Sequence, residues 1–390
     1  MVRTPDSELL LAARHVYIHV PFCMAKCAYC SFYSQPWREP LADRYLDALG
    51  REMDSVLART RPKADTIYVG GGTPTMLSDT QLDRLLETIS SRVSTSRGTE
   101  WTVEANPGTL SPKRIAMMVD AGVTRISLGV QSFLDSALRT QDRPHSVSDV
   151  DVTCRMLDAQ GFRNFGLDLI AGLPGVSREA WFATLARARD IAPRHMSIYA
   201  LTLDRGTRLA SAVKQGAVTL PDEAAVQYSL DIAATVLSKA RYVRYEVSNF
   251  AQPGCECRHN LSFWRGGDYL GFGPAAASRM GRLRRKNKPD LRAYIEAAAS
   301  GRRPPATRET LDDETDRSER LAFAFRLTEG ADPSAYAGDG PPAGRLLERW
   351  TAALEGCSAD GLVQRRNGVW VPTERGMRFA DTVAERILPG

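Results

Sequence analysis

Through the first two-thirds of the chain, short apolar runs rich in β-branched and aromatic residues alternate with longer segments whose apolar positions recur at helical spacing. The apolar runs at 16–20, 66–70, 101–105, 125–130, 164–170 and 196–203 predict strands. The segments 40–58, 78–92, 111–121, 146–160, 178–191 and 222–239 predict helices. Several open with capping or first-turn residues, as in Ser78-Asp79, Ser111-Pro112 and Pro221-Asp222. Six strand–helix units in succession predict an α/β fold, a parallel sheet with helices outside, curled into a barrel or partial barrel. That architecture gathers ligand groups at the C-terminal ends of its strands.

After residue 240 the alternation stops. Residues 244–250 predict one further strand, followed by a loop rich in glycine, aromatic and polar residues over 257–269. The stretch 301–305, with two prolines, predicts a linker. From about 307 the pattern is helical, broken by a loop at 338–344 and a short strand near 369–371. Residues 361–380 resemble the end of a winged-helix-like module, for which packing is a better explanation than DNA reading.

The first predicted strand runs into His19-Val-Pro-Phe-Cys23-Met-Ala-Lys-Cys27-Ala-Tyr29-Cys30. Three thiolates at this spacing can hold three irons of a 4Fe–4S cluster and leave the fourth iron open. An open iron can chelate the amino and carboxylate groups of S-adenosylmethionine (SAM). A structural zinc site is the competing reading. It needs four ligands, usually in two separated pairs, and only His19 stands near enough to complete this set. A disulfide is disfavoured: residues 1–14 are polar apart from Leu9-Leu10-Leu11 and do not read as a secretory signal. Seven cysteines among 390 residues suit a reducing cytoplasm.

The chain is 43% hydrophobic and 25% charged, with a formal net charge of +5, and its apolar runs are too short for a membrane helix. One cationic run, from Arg279 to Lys286, predicts a solvated face open to an anionic partner or lipid heads. No stacking platform or reading motif accompanies it, so nucleic acid is not an expected partner.

Polar groups recur where the predicted strands end. Gly70-Gly71-Gly72-Thr73 closes the second, where glycines let backbone approach a ligand. Glu104 ends the third, Gln131 ends the fourth and Arg143 follows it, and Asp168 lies in the fifth. One polar ligand held across the barrel explains this recurrence better than five unrelated groups. Acids suit an amine or ribose hydroxyls, and an arginine suits a carboxylate.

These segments, with YIHVPFC, YVGGGTPT, VEANPGT, RISLGVQSF, FGLDLIAGLPG, YEVSNFAQPG and CRHNLSFW, resemble the oxygen-independent coproporphyrinogen III oxidase family of radical-SAM proteins. Within it, they resemble the HemW-type heme chaperones. The resemblance implies a partial (β/α)6 TIM-like barrel with a β extension and a small, mainly helical C-terminal domain. It implies a radical-SAM core over 1–240, an extension with a heme motif over 241–300, and a C-terminal domain over 301–390. It implies that Cys23, Cys27 and Cys30 ligate the cluster and that Tyr17, Tyr29, Gly72, Thr73, Glu104, Gln131, Arg143 and Asp168 line the SAM site. It also implies heme bound by a motif that here reads His259-Asn260-Leu261-Ser262-Phe263-Trp264, with phenylalanine where the family has tyrosine.

Three functions follow from the resemblance: a heme chaperone serving an unidentified acceptor protein, a coproporphyrinogen dehydrogenase, or a radical methyltransferase. The oxidases carry a fourth cysteine where this chain has Phe32, which favours the chaperone. The family's glycine-rich segment after the heme motif carries a histidine where this chain has Ala277, which weakens any role assigned to that position. Cys154, Cys255, Cys257 and Cys357 read as small apolar residues, with a heme role for Cys255 or Cys257 as a minor alternative.

Overall fold

A computed structural model describes residues 13–57, 61–340 and 342–389. The Leu9–Leu11 run and Ala58 lie outside the described residues. Each strand–helix unit forms where the periodicity predicts it. β1 (His15–Val20) runs into the short β2 (Phe22–Cys23), and β3 (Gln35–Pro36) closes the cysteine loop by pairing with β2. There follow α1 (Glu39–Leu57), β4 (Thr66–Gly71), α2 (Asp79–Ser90), β5 (Glu100–Ala105), α3 (Pro112–Ala121) and β6 (Arg125–Gln131). A short α4 (Asp135–Thr140) precedes α5 (Val147–Ala159), β7 (Phe165–Ala171), α6 (Arg178–Ile191) and β8 (His195–Ala200). A second short helix, α7 (Arg208–Lys214), precedes α8 (Glu223–Lys239).

The helix starts have the expected chemistry. Ser78 and Ser146 each accept from the third helical N–H while Gln81 and Asp149 reach back, making two capping boxes. Ser111 caps α3 ahead of its proline. The two short helices α4 and α7 are too brief to show a period, so the sequence pattern does not reveal them. β8 stops at Ala200 rather than 203.

β1, β4, β5, β6, β7 and β8 lie side by side and parallel, in sequence order. This is the parallel (β/α)6 arrangement expected, and it is open rather than closed. The sheet continues on one side through β11 (Tyr269–Phe272), β12 (Ala277–Met280), β13 (Leu283–Asn287) and β14 (Ala306–Thr310). On the other side it ends in β10 (Asn249–Ala251) and β9 (Val243–Arg244). β14 pairs with β13, so the sheet runs on past residue 301, where the C-terminal segment was expected to begin.

The single strand expected at 244–250 is two short strands folded back on each other. Its middle pairs elsewhere: Val247 N donates to Arg326 O, and Glu246 bridges to Leu327. The loop expected over 257–269 begins as a helix, α9 (Arg258–Trp264). α10 (Leu291–Ala299) packs on α1. The C-terminal part comprises α11 (Asp313–Ala324), α12 (Ser334–Ala337), α13 (Pro342–Ala359), β15 (Val363–Arg366), β16 (Val369–Pro372), α14 (Glu374–Arg378) and α15 (Ala380–Ile387). α13 starts inside the expected loop at 338–344, whose residue 341 lies outside the described residues. Trp350, Leu354 and Val383 centre a second apolar core here, separate from the one under the main sheet.

The cationic run is not the solvated face its charge predicts. Arg279 is buried against Asp316, 2.6 Å away, and Arg284 pairs with Glu319. Arg285 donates to Asn287 and to Pro304 O. Arg282 and Lys286 are left as its exposed cations. The pairing with α11 explains the change: the cations fasten the sheet extension to the C-terminal part. Among the described residues, no helix is long and apolar enough to cross a membrane.

Candidate functional site

A cavity of about 380 Å³ opens at the C-terminal ends of the parallel strands. Cys23, Cys27 and Cys30 line it, together with Tyr29, Gly72, Thr73, Glu104, Gln131, Arg143 and Asp168. Ten residues far apart in sequence therefore meet in one place, as the barrel rule anticipates. Tyr17 is the exception among the residues expected there. It does not reach the cavity wall, and its hydroxyl is bonded to His19 Nδ1 at 3.0 Å.

The glycine triplet shows why each position lacks a side chain. A Cβ on Gly70 would meet the Glu104 carboxylate at 2.6 Å. One on Gly71, where φ is +107°, would meet the His19 ring at 2.6 Å. One on Gly72 would meet Phe22 O at 2.5 Å. The loop is thus pressed between the cysteine loop and β5, and only glycine fits. Gln131 is held at φ +69° beside a register shift between β6 and β7. Such strain in a non-glycine residue is characteristic of a ligand site.

The three thiols are free, and Arg143 Nη1 lies 3.2 Å from Cys27 Sγ. Arg143 Nη2 donates to Asn106 Oδ1 at 2.8 Å, and Asn106 Nδ2 donates to Thr73 Oγ1 at the same distance. Thr73 Oγ1 in turn points to Cys23 Sγ at 3.8 Å. Among the described residues, no three His, Cys, Asp or Glu groups converge on a single metal position. A mononuclear zinc site needs such convergence. Three sulfurs around a shared cavity suit a polynuclear cluster instead, and the wall beyond them has room and polar groups for a second ligand.

Two carboxylates face that room. Glu104 accepts from the Tyr68 hydroxyl at 2.7 Å and from Gly71 N at 3.0 Å. Burial in the barrel raises its pKa to about 7, against the pull of those two hydrogen bonds. Asp168 is also raised by burial, although Ser197 and Ser127 donate to it. Two carboxylates desolvated near one another favour a cationic ligand such as an amine or sulfonium. Asn106, Tyr68, Ser127 and Tyr199 also line the cavity, and the strand-end pattern in the sequence does not single them out. Tyr68 was findable: with Thr66 and Gly70 it shares one face of a period-two strand.

The heme-motif residues stand elsewhere. α9 packs across the N-terminal ends of the strands, the opposite end from the cysteines. Glu100, at the start of β5, accepts from Arg258 N at 2.9 Å and His259 N at 3.0 Å and so begins the helix. That cap lies more than 150 residues away in sequence, which is why the segment reads as a loop. His259 Nδ1 is 2.7 Å from Thr66 Oγ1. Its ring lies over Tyr68, with centroids 5.2 Å apart. Burial lowers its pKa to about 3, with His15 adding to the shift, so the imidazole is neutral. Among the described residues, its Nε2 has no hydrogen-bond partner.

Asn260 is half-buried on the same helix. Trp264 Nε1 donates to Glu246 Oε2 at 3.1 Å, and Phe263 stacks on Phe323 of α11 at 5.7 Å. A smaller cavity beside them is lined by Phe263, Tyr269, Phe323 and Arg284. A neutral imidazole with one free nitrogen, flanked by aromatic rings, is a donor set that fits an axial heme ligand. Ala277 lies on β12, outside the lining of the cluster cavity. Cys257 is buried against Glu100, Cys154 and Cys357 are buried in the two apolar cores, and Cys255 is half-buried.

The family model of the radical SAM superfamily matches residues 17–188. The heme chaperone HemW of Mycobacterium tuberculosis is 35% identical over 377 residues, covering 96% of this chain and 94% of that protein. HemW of Escherichia coli is 33% identical along the full length of both. The chain belongs to the HemW heme chaperone family. Among solved structures, the coproporphyrinogen III oxidase HemN from Escherichia coli superposes with a TM-score of 0.84 at 21% identity, over 99% of this chain and 93% of that one. At that identity the match speaks for the fold, a HemN-like radical-SAM architecture.

Proposed function

We propose that this HemW family member is a heme chaperone that binds heme at α9, a 4Fe–4S cluster at Cys23, Cys27 and Cys30, and SAM in the cavity beside them. The observation that carries the reading is His259. It keeps the motif's histidine, neutral and, among the described residues, with no hydrogen-bond partner at Nε2, in a chain related along its whole length to heme chaperones. Asn260 and Trp264 complete the motif's wall. In the cluster cavity, Glu104 and Asp168 would receive the amine and ribose of SAM, and Arg143 would stand between its carboxylate and the Cys27 sulfur. A bound cluster and SAM supply one-electron chemistry in radical-SAM proteins. Here they would serve to regulate or shape heme transfer.

Phe32 supports the chaperone over the oxidase. It occupies the place of the oxidases' fourth cysteine and stands 67% exposed at the cavity mouth. The reading places transfer in a reducing cytoplasm, where free thiols persist, to an acceptor protein. The pairing of Arg279 and Arg284 leaves Arg282 and Lys286 as the cations of that run available to lipid.

The test is a heme titration of the anaerobically reconstituted protein, followed by the Soret band, with His259→Ala in parallel. Saturation near one heme per chain in the parent protein, with a lost or shifted band in the variant, is expected. Absence of saturable binding in both, or rapid decarboxylation of coproporphyrinogen under reducing, oxygen-free conditions, would replace the chaperone with an enzyme.

A further inference from the structure

β1 and β4 pair in parallel with His15 opposite Thr66, so the two side chains stand together at the barrel floor. The Thr66 hydroxyl lies between two imidazoles. It is 2.9 Å from His15 Nδ1 and 2.7 Å from His259 Nδ1. Both rings offer the same nitrogen to one oxygen, and Thr66 itself is buried. A hydroxyl has one proton to donate and two lone pairs to accept. If it gives its proton to one ring, it can take a proton from the other.

An imidazole that binds a metal through Nε2 carries its proton on Nδ1 and needs an acceptor there. For His259 that acceptor is Thr66 Oγ1, whose own proton then goes to the bare Nδ1 of His15. Two charged groups near this pair are committed elsewhere. Glu100 caps the backbone of α9, and Arg125 donates to Cys255 O at 3.1 Å. Tyr68 packs against the ring of His259 and directs its hydroxyl away, to Glu104. The orientation of the His259 ring therefore rests on one side-chain hydrogen bond and two ring neighbours, Tyr68 and His15.

We propose that Thr66, backed by His15, is the positioning residue that holds His259 with its proton on Nδ1 and its Nε2 lone pair open to heme iron. The proposal rests on His259 being the axial ligand. Removing the hydroxyl leaves a buried Nδ1–H without an acceptor and a less basic ligand.

The experiment titrates heme into reconstituted Thr66→Val, Thr66→Ser, His15→Ala and His259→Ala, reading the Soret band and the ferric–ferrous midpoint potential. Thr66→Val should lose on the order of 10-fold to 100-fold in heme affinity, the usual effect of losing such an outer partner. Its potential should rise, because a less basic ligand stabilises ferric iron less. Thr66→Ser should restore both values, and His15→Ala should raise the potential by less than Thr66→Val. Cluster absorption should persist in all four variants. Parental affinity and potential in Thr66→Val, with binding lost in His259→Ala, would overturn the inference and leave the ligand reading standing. Parental binding in His259→Ala would overturn the ligand reading and the inference with it. If Thr66→Val loses its cluster absorption through misfolding, His15→Ala carries the test, and an unchanged potential there overturns the proposal.

Discussion

The two ends of the parallel strands are built on opposite principles. At the C-terminal end, the cysteine loop, carboxylates on β5 and β7 and an arginine from the loop after α4 surround an open cavity. At the N-terminal end, a seven-residue helix closes the barrel with a neutral histidine, a threonine and a capping carboxylate. The first end holds two buried carboxylates whose pKa values burial raises, suited to a cationic ligand. The second pairs its threonine and its capping carboxylate internally, through Thr66 and Glu100. β4 joins them. Thr66, Tyr68 and Gly70 share one face of the strand, about 7 Å per two-residue step, touching in turn His259, both His259 and Glu104, and the Glu104 carboxylate. One strand can therefore serve two sites because side chains two apart lie on the same face.

The comparison breaks most completely if the two ends are not separable. Cys27→Ala should abolish the broad visible absorption of the reconstituted cluster while the Soret titration with heme stays as in the parent protein. A joint loss would mean that the ends form one site.

The electrostatics of the open end give a second measure. With Glu104 at about 7, its proton must leave before the carboxylate can attract the SAM amine. SAM affinity should therefore rise with pH and level off above about 7, falling roughly tenfold per unit below it. Glu104→Gln should weaken binding at about pH 8 and flatten that dependence; isothermal titration from about pH 5.5 to about pH 8.5 reads both. The sign reverses for stability of the ligand-free protein. Folded Glu104 holds its proton more tightly than the unfolded group, at 4.5, so this group's contribution to stability falls as pH rises from 4.5 to about 7.

The closed end should respond most weakly. Glu100→Ala removes the cap of α9 and should cost about 1–2 kcal/mol in a urea melt, with loosened heme binding and an intact cluster signal. A Glu100→Ala protein as stable as the parent would mean that α9 is held chiefly by its aromatic contacts with α11.

Much of the fold and of the open end is legible in the sequence. The six strand–helix units, the cysteine loop and the glycine triplet are local patterns, and local patterns report element type and the chemistry a loop can perform. The polar groups at strand ends can be gathered into one cavity because parallel strands present their C-terminal ends together. What stays hidden depends on distant partners. α9 reads as a loop because Glu100 caps it from another strand, and 244–250 reads as one strand because its middle is claimed by residues near 326. Arg279 reads as surface charge because nothing nearby announces Asp316.

The chain by itself determined the alternation of elements, the thiol spacing and the family, since all three reside in neighbouring residues. Only the tertiary structure decided that His259 lies at the far end of the barrel from the cysteines, joined to His15 through one hydroxyl. The reason is register: parallel pairing of β1 with β4 sets His15 beside Thr66, and α9 then brings His259 onto that pair from a segment almost two hundred residues away.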